Sequence, residues 1–212
     1  MIHSLPSLHV VGDSISIQYG PYLEKMLTGV MAYSRKTGTT DNLDNPEGAN
    51  GGDSSMVIDY VRTLQNDPRA PFDYLMVNCG LHDLRWQLAE HRFQIPLEQY
   101  GENLATIVRL SKPVARQMIW VRTTPVVDQI HNKPGMDFNR FARNVDEYNS
   151  IADQVMRANQ VPLIDLFAFT RNLGDDIYCD HAHFRDEVRA QQAAFIAGYL
   201  SVLKTRFLDG NP

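Results

Sequence analysis

Apolar runs alternate with stretches of helical spacing along the chain, and that alternation limits the fold more than any other feature. Leu8 to Val11 reads as a first strand, Ile17 to Leu27 as a helix, and Val30 to Ser34 as a weaker second strand. A polar loop, TGTTDNLDNPEGANGGDS, leads to Asp53 or Ser54 as the cap of a helix through about Leu64. FDYLMVNCG is a third, buried strand, and after a short irregular piece a helix begins at about Leu97. RQMIWVRTTPV is a fourth strand stopped by Pro125. A helix from about Asn139 to Asn159, a fifth strand VPLIDL and a closing helix complete the chain. This order predicts one α/β domain over residues 1–212, a doubly wound sheet of about five parallel strands with helices on both faces.

The bulk properties agree with such a domain and exclude several functions. A chain of 212 residues, 43% hydrophobic and 21% charged, can form one sizeable core. A net charge of -5 and no basic block argue against a nucleic-acid partner. No apolar stretch approaches the ~18 residues of a membrane span. The first residues lack a charged segment leading into a long apolar one, so a cytoplasmic location is expected, with secretion open if a leader has been removed. Cys79 and Cys179 suit reduced, mostly buried thiols. His3, His9, His91 and His131 lack ligand spacing and read as structural or solvated, so no metal or cofactor is expected.

Sheets of this kind bind ligands outside the carboxyl ends of their strands. Ser14 follows strand one, NCGLHD follows strand three, and YCDHAHF follows strand five. A serine hydroxyl becomes a nucleophile when a base takes its proton, and the usual base is a histidine oriented by a carboxylate. Asp180 and His183 offer that pair at i,i+3, a relation His181 does not have. The charge formed on attack needs donors aimed at it. The backbone N–H groups of Ser14 and Gly52, with a side chain after strand three, are candidates. The alternative for Ser14 is a plain helix cap.

These blocks resemble the SGNH hydrolases, the GDSL-type esterases and lipases. Gly12-Asp13-Ser14 matches the family's nucleophile block, and NGGDSS its glycine block with Gly52 as donor. Asp180 and His183 match its Asp-x-x-His block. The third block departs: where the family has Gly-x-Asn-Asp, this chain has Gly80-Leu81-His82-Asp83. The resemblance implies a flavodoxin-like fold, an acyl-enzyme on Ser14, His183 as base, Asp180 as its orienter, and an oxyanion hole of Ser14, Gly52 and His82. An imidazole N–H can donate where the family uses an amide.

The family's substrates range over acetylated sugars, lipids, lysophospholipids and acyl thioesters. A rim rich in Asn, Asp, Arg and Thr leads to the expectation of a short acyl group on a polar, carbohydrate-like alcohol. Arg122, Asp13 and Trp86 are placed as candidate substrate contacts, with Asp13 also suited to ordering the turn and Arg122 to pairing with nearby acids; Tyr178 is a candidate pocket wall. Alternatives on the same residues are an acyltransferase, a lysophospholipase or thioesterase, and a non-catalytic ligand-binding protein.

Overall fold

The structure is a computed structural model that describes residues 5–43, 45, 46 and 48–208, without the side chains of 204–208. Its main sheet has five parallel strands: β1 (Ser7–Val11), β2 (Ala32–Arg35), β3 (Phe72–Val77), β6 (Ala115–Val121) and β8 (Leu163–Ile164), in the order β2-β1-β3-β6-β8. Successive residues of the central strands, such as Val10 and Val11 or Ile119, Trp120 and Val121, are all buried, as expected of a sheet covered on both faces. The edge strand β2 is half-exposed and ends in Arg35, which suits a strand with one unpaired side.

Two groups of helices cover the sheet. One contains α1 (Ser14–Met26) packed on α7 (Asp186–Leu208), with α6 (Leu166–Arg171) against α7. The other contains α2 (Ser54–Leu64), α3 (Leu97–Ser111) and α5 (Ala142–Ala158) in a row. Their buried faces follow helical spacing: Val57, Ile58, Val61 and Leu64 on α2, and Val145, Tyr148, Ala152 and Met156 on α5.

Four details differ from the sequence reading. The expected strand VPLIDL is cut to β8 because α6 starts at Leu166, so Asp180 and His183 lie in a loop beyond that extra helix and not at the strand end. The irregular piece after β3 contains β4 (Trp86–Gln87) and β5 (Arg92–Phe93), which join β7 (Phe138–Asn139) in a small antiparallel sheet. Two-residue strands carry no periodicity to read. Because Phe138 and Asn139 are committed to that sheet, α5 begins at Ala142, after a short α4 (Asp128–His131). Helix α1 starts at Ser14 rather than Ile17, so the candidate nucleophile lies in its first turn.

Strand succession changes direction between β1 and β3, which opens a crevice at their carboxyl ends. Asn78 sits at that edge and donates through Nδ2 to the Val121 carbonyl at 2.9 Å, clamping β3 to β6. Asn149 of α5 makes a paired contact with the Thr123 backbone, accepting from its N–H at 3.0 Å and donating to its carbonyl at 2.9 Å. The loops that follow β1, β3 and β6 therefore start from fixed strand ends.

Candidate active site

The first turn of α1 separates capping from chemistry. Asp13 is the N-cap: its backbone is extended and its carboxylate accepts the Ile15 N–H at 3.0 Å. Ser14 follows as the first helical residue, so its side chain is not needed for capping. Its own N–H lies among the helix N-terminal donors that have no intrahelical acceptor, where the macrodipole favours negative charge.

Ser14 Oγ lies 2.8 Å from His183 Nε2, and His183 Nδ1 lies 2.8 Å from Asp180 Oδ2. Hydrogen-bond chemistry fixes the proton positions: an ionised carboxylate only accepts, so Nδ1 carries the hydrogen and Nε2 accepts from the serine. Asp180 Oδ1 accepts the N–H of Ala182 at 2.8 Å and of His183 at 2.7 Å. Burial pushes the Asp180 carboxyl up, but these two backbone bonds and the His183 ring outweigh it and hold it below the ordinary carboxylate value. Ser14 and His183 are buried, while the Asp180 side chain is 45% exposed. The loop closes on itself through Cys179 N–H donating to the His183 carbonyl at 2.9 Å and a bridge between Tyr178 and Phe184.

The other expected site residues are placed differently. Gly52 has a φ of +70°, a left-handed conformation that favours glycine. Its N–H, expected to face an oxyanion, donates at 2.9 Å to Asn50 Oδ1 in a tight Asx turn. His82 is buried, with Nε2 3.5 Å from Asn50 Nδ2. Asn50, 1% exposed, thus stands between the two anticipated donors, and its amide also donates to the Leu43 carbonyl at 2.8 Å. Arg122 does not reach toward Ser14: it bonds Asp165 at 3.0 Å and Asp153 at 3.2 Å. Asp13 is committed to the helix cap and 1% exposed, so it is not a surface for substrate. Trp86 is half-buried, edge-on to Phe93 in the small sheet. Tyr178 donates to the Pro125 carbonyl at 2.9 Å.

Among the histidines, His9 is buried between Ser34 Oγ and Tyr60 OH, His91 is exposed, and His3 lies outside the described residues. Cys79 is buried, but Cys179 is exposed because it occupies the hairpin just before Asp180. No group of three or more possible metal ligands occurs among the described residues.

Asp83 is fully buried, and its Oδ1 accepts the Ser54 N–H at 2.8 Å, joining the β3 loop to the start of α2. Burial pushes its carboxyl up to about 7, above the value of about 4 in an unfolded chain. The folded state therefore holds a proton that the unfolded state gives up. This contribution is fully present below about pH 4 and is lost as pH rises through about 7. Asp83→Asn should remove that contribution, so the difference in urea midpoint between variant and wild type, measured from acid to about pH 8, should move in the variant's favour as pH rises. Parallel curves for the two proteins would show that Asp83 folds as a carboxylate.

A sequence profile described as GDSL-like Lipase/Acylhydrolase family matches residues 10–190. The chain belongs to that family. Like other GDSL-like acylhydrolases it is a carboxylic ester hydrolase. A search of curated protein sequences finds no match. Solved structures share the fold at low identity. The lipase/acylhydrolase from Enterococcus faecalis superposes with a TM-score of 0.70 at 16% identity, covering 93% of this chain and 96% of the other. The acetylxylan esterase Axe2 from Geobacillus stearothermophilus gives 0.64 at 15% identity, covering 95% of both chains. In this GDSL-like hydrolase no helix among the described residues is long and apolar enough to cross a membrane.

Proposed function

We propose that this chain is a serine esterase that removes short acyl groups, foremost O-acetyl groups, from carbohydrate-like alcohols. The unbroken hydrogen-bond line from Ser14 through His183 to Asp180 carries the reading. The fold shared with an acetylxylan esterase supports the substrate class.

Ser14 Oγ attacks the ester carbonyl while His183 Nε2 takes its proton. The tetrahedral oxyanion forms at the N-terminus of α1, where the Ser14 N–H donates to it. Asp180 stays ionised throughout: it holds Nδ1–H and stabilises the imidazolium. Collapse breaks the ester C–O bond, and His183 returns the proton to the departing alcohol. Water, deprotonated by His183, attacks the acyl-enzyme, and a second collapse releases the acid and restores Ser14.

His82 is the proposed second donor. If Asn50 Nδ2 donates to Nε2, the imidazole proton resides on Nδ1, the position an asparagine amide nitrogen would occupy. His82→Ala should therefore cost on the order of 10²-fold in kcat, while His82→Asn should retain most activity. An alanine variant with full kcat and unchanged folding would remove His82 from the oxyanion site. Gly52 joins the hole only as Asn50 Oδ1 releases its N–H.

The substrate class is tested with p-nitrophenyl acetate, butyrate and octanoate beside acetylated xylooligosaccharides, following acid release. Acetyl substrates should be turned over fastest. Preference for octanoate with inert acetylated sugars would refute the short-acyl reading, and inertness toward every ester would refute the esterase itself.

A further inference from the structure

We propose that Arg140 and His131 form a buried strut that fixes the separation between the two loops facing Ser14, and that His131 positions Asp180 through the single peptide group joining His181 to Ala182. The inference rests on the Ser14–His183–Asp180 mechanism above.

Arg140 is 2% exposed and His131 is fully buried, although each carries several polar atoms. Such groups persist in an interior where their hydrogen bonds are made. Arg140 Nε donates to the Leu81 carbonyl at 2.5 Å, on the loop that carries His82. Its guanidinium also reaches His131 Nε2 at 3.4 Å. His131 Nδ1 lies 2.9 Å from the His181 carbonyl, on the loop that carries Asp180 and His183. A carbonyl only accepts and a guanidinium only donates, so one tautomer satisfies both contacts: Nδ1 protonated, Nε2 bare. Burial and then the Arg140 charge push His131 down to about 4, which keeps it in that neutral form. His181 Nδ1 lies beside the same N–H at 3.1 Å. The strut is itself anchored, since Asn132 Oδ1 accepts the Arg140 backbone N–H at 2.8 Å and Phe138 lies under the guanidinium at 4.9 Å.

The peptide group between His181 and Ala182 makes the link to chemistry. Its carbonyl accepts from His131, and its N–H donates to Asp180 Oδ1 at 2.8 Å. A peptide polarised at its oxygen is a better donor at its nitrogen. His131 therefore both locates this peptide and strengthens one of the bonds that aim the Asp180 carboxylate at His183. Arg140 and His131 touch no reacting atom in this scheme; they are positioning residues.

The test compares three variants of His131 in the full chain, each assayed well below its own Tm. His131→Phe keeps the ring volume and loses both bonds. It should lower kcat by about 10- to 100-fold, as expected for misplaced catalytic groups, with KM nearly unchanged, and should slow labelling of Ser14 by an organophosphonate in parallel. His131→Asn puts an amide nitrogen near the Nδ1 position and should recover most of the loss. His131→Gln reaches toward Arg140 instead and should behave like Phe. Should the Phe variant fail to fold, the Asn and Gln pair decides by itself. Labelling of the Phe variant at the wild-type rate, or Asn no better than Gln, overturns the strut while leaving the esterase reading intact. Wild-type protein that is not labelled at Ser14 overturns the serine mechanism and the strut with it.

Discussion

Ser14→Ala is expected to lower kcat on the order of 10⁶-fold and to abolish organophosphonate labelling, with the fold preserved. The Ser14 hydroxyl bonds His183 Nε2, while capping of α1 belongs to Asp13. Alanine is the best helix former and removes no cap. The variant leaves His183 Nε2 without its serine partner, so its stability should move by no more than about 1 kcal/mol. Activity and stability therefore separate cleanly at this position. Hydrolysis that survives in a purified variant, or an adduct mapped by mass spectrometry to another residue, would place the nucleophile elsewhere.

Asp180→Asn is the second large effect, a loss on the order of 10⁴-fold in kcat with little change in structure. Asparagine retains an oxygen that can accept from Ala182 and His183 N–H, so the loop keeps its shape. Its amide nitrogen, however, now faces His183 Nδ1. Two donors cannot share that contact, so the imidazole places its proton on Nε2 and can no longer accept from Ser14. His181→Ala is the control: His181 is half-buried beside His131 and is not in line with Ser14 Oγ, so most activity should remain. A dead His181→Ala beside an active His183→Ala would reverse the assignment of the base.

The sheet is legible in the sequence because its central strands are continuous apolar runs and the helices α2, α3 and α5 each have one apolar stripe; both signals are local. Ser14, Asp180 and His183 can be nominated because nucleophile, base and orienter must be particular residue types, the first just after β1 and the other two at i,i+3 in one loop. Asn50 escapes that reading although Asn-Gly-Gly is a turn signature, because an expectation centred on Gly52 as donor leaves out the residue that accepts its N–H. Arg140 and His131 have no local signal at all: their partners, Leu81 and His181, are remote in sequence and adjacent only after folding. Arg122 looks available on the rim because its acidic partners Asp153 and Asp165 belong to later elements. Long-range polar pairing, more than secondary structure, is what the linear sequence conceals.

The packing of α1 against α7 has a consequence for synthesis. The helix that begins with the proposed nucleophile is synthesised long before the helix it packs on. The proposed base, His183, lies just before α7, 169 positions after the serine. Domains built on such distant pairings gain their stabilising contacts late, after the loop-closure entropy has been met. Until residues 180–183 have been added, a nascent chain therefore carries Ser14 without its proposed base, and the two meet only when the segment leading into α7 docks beside α1.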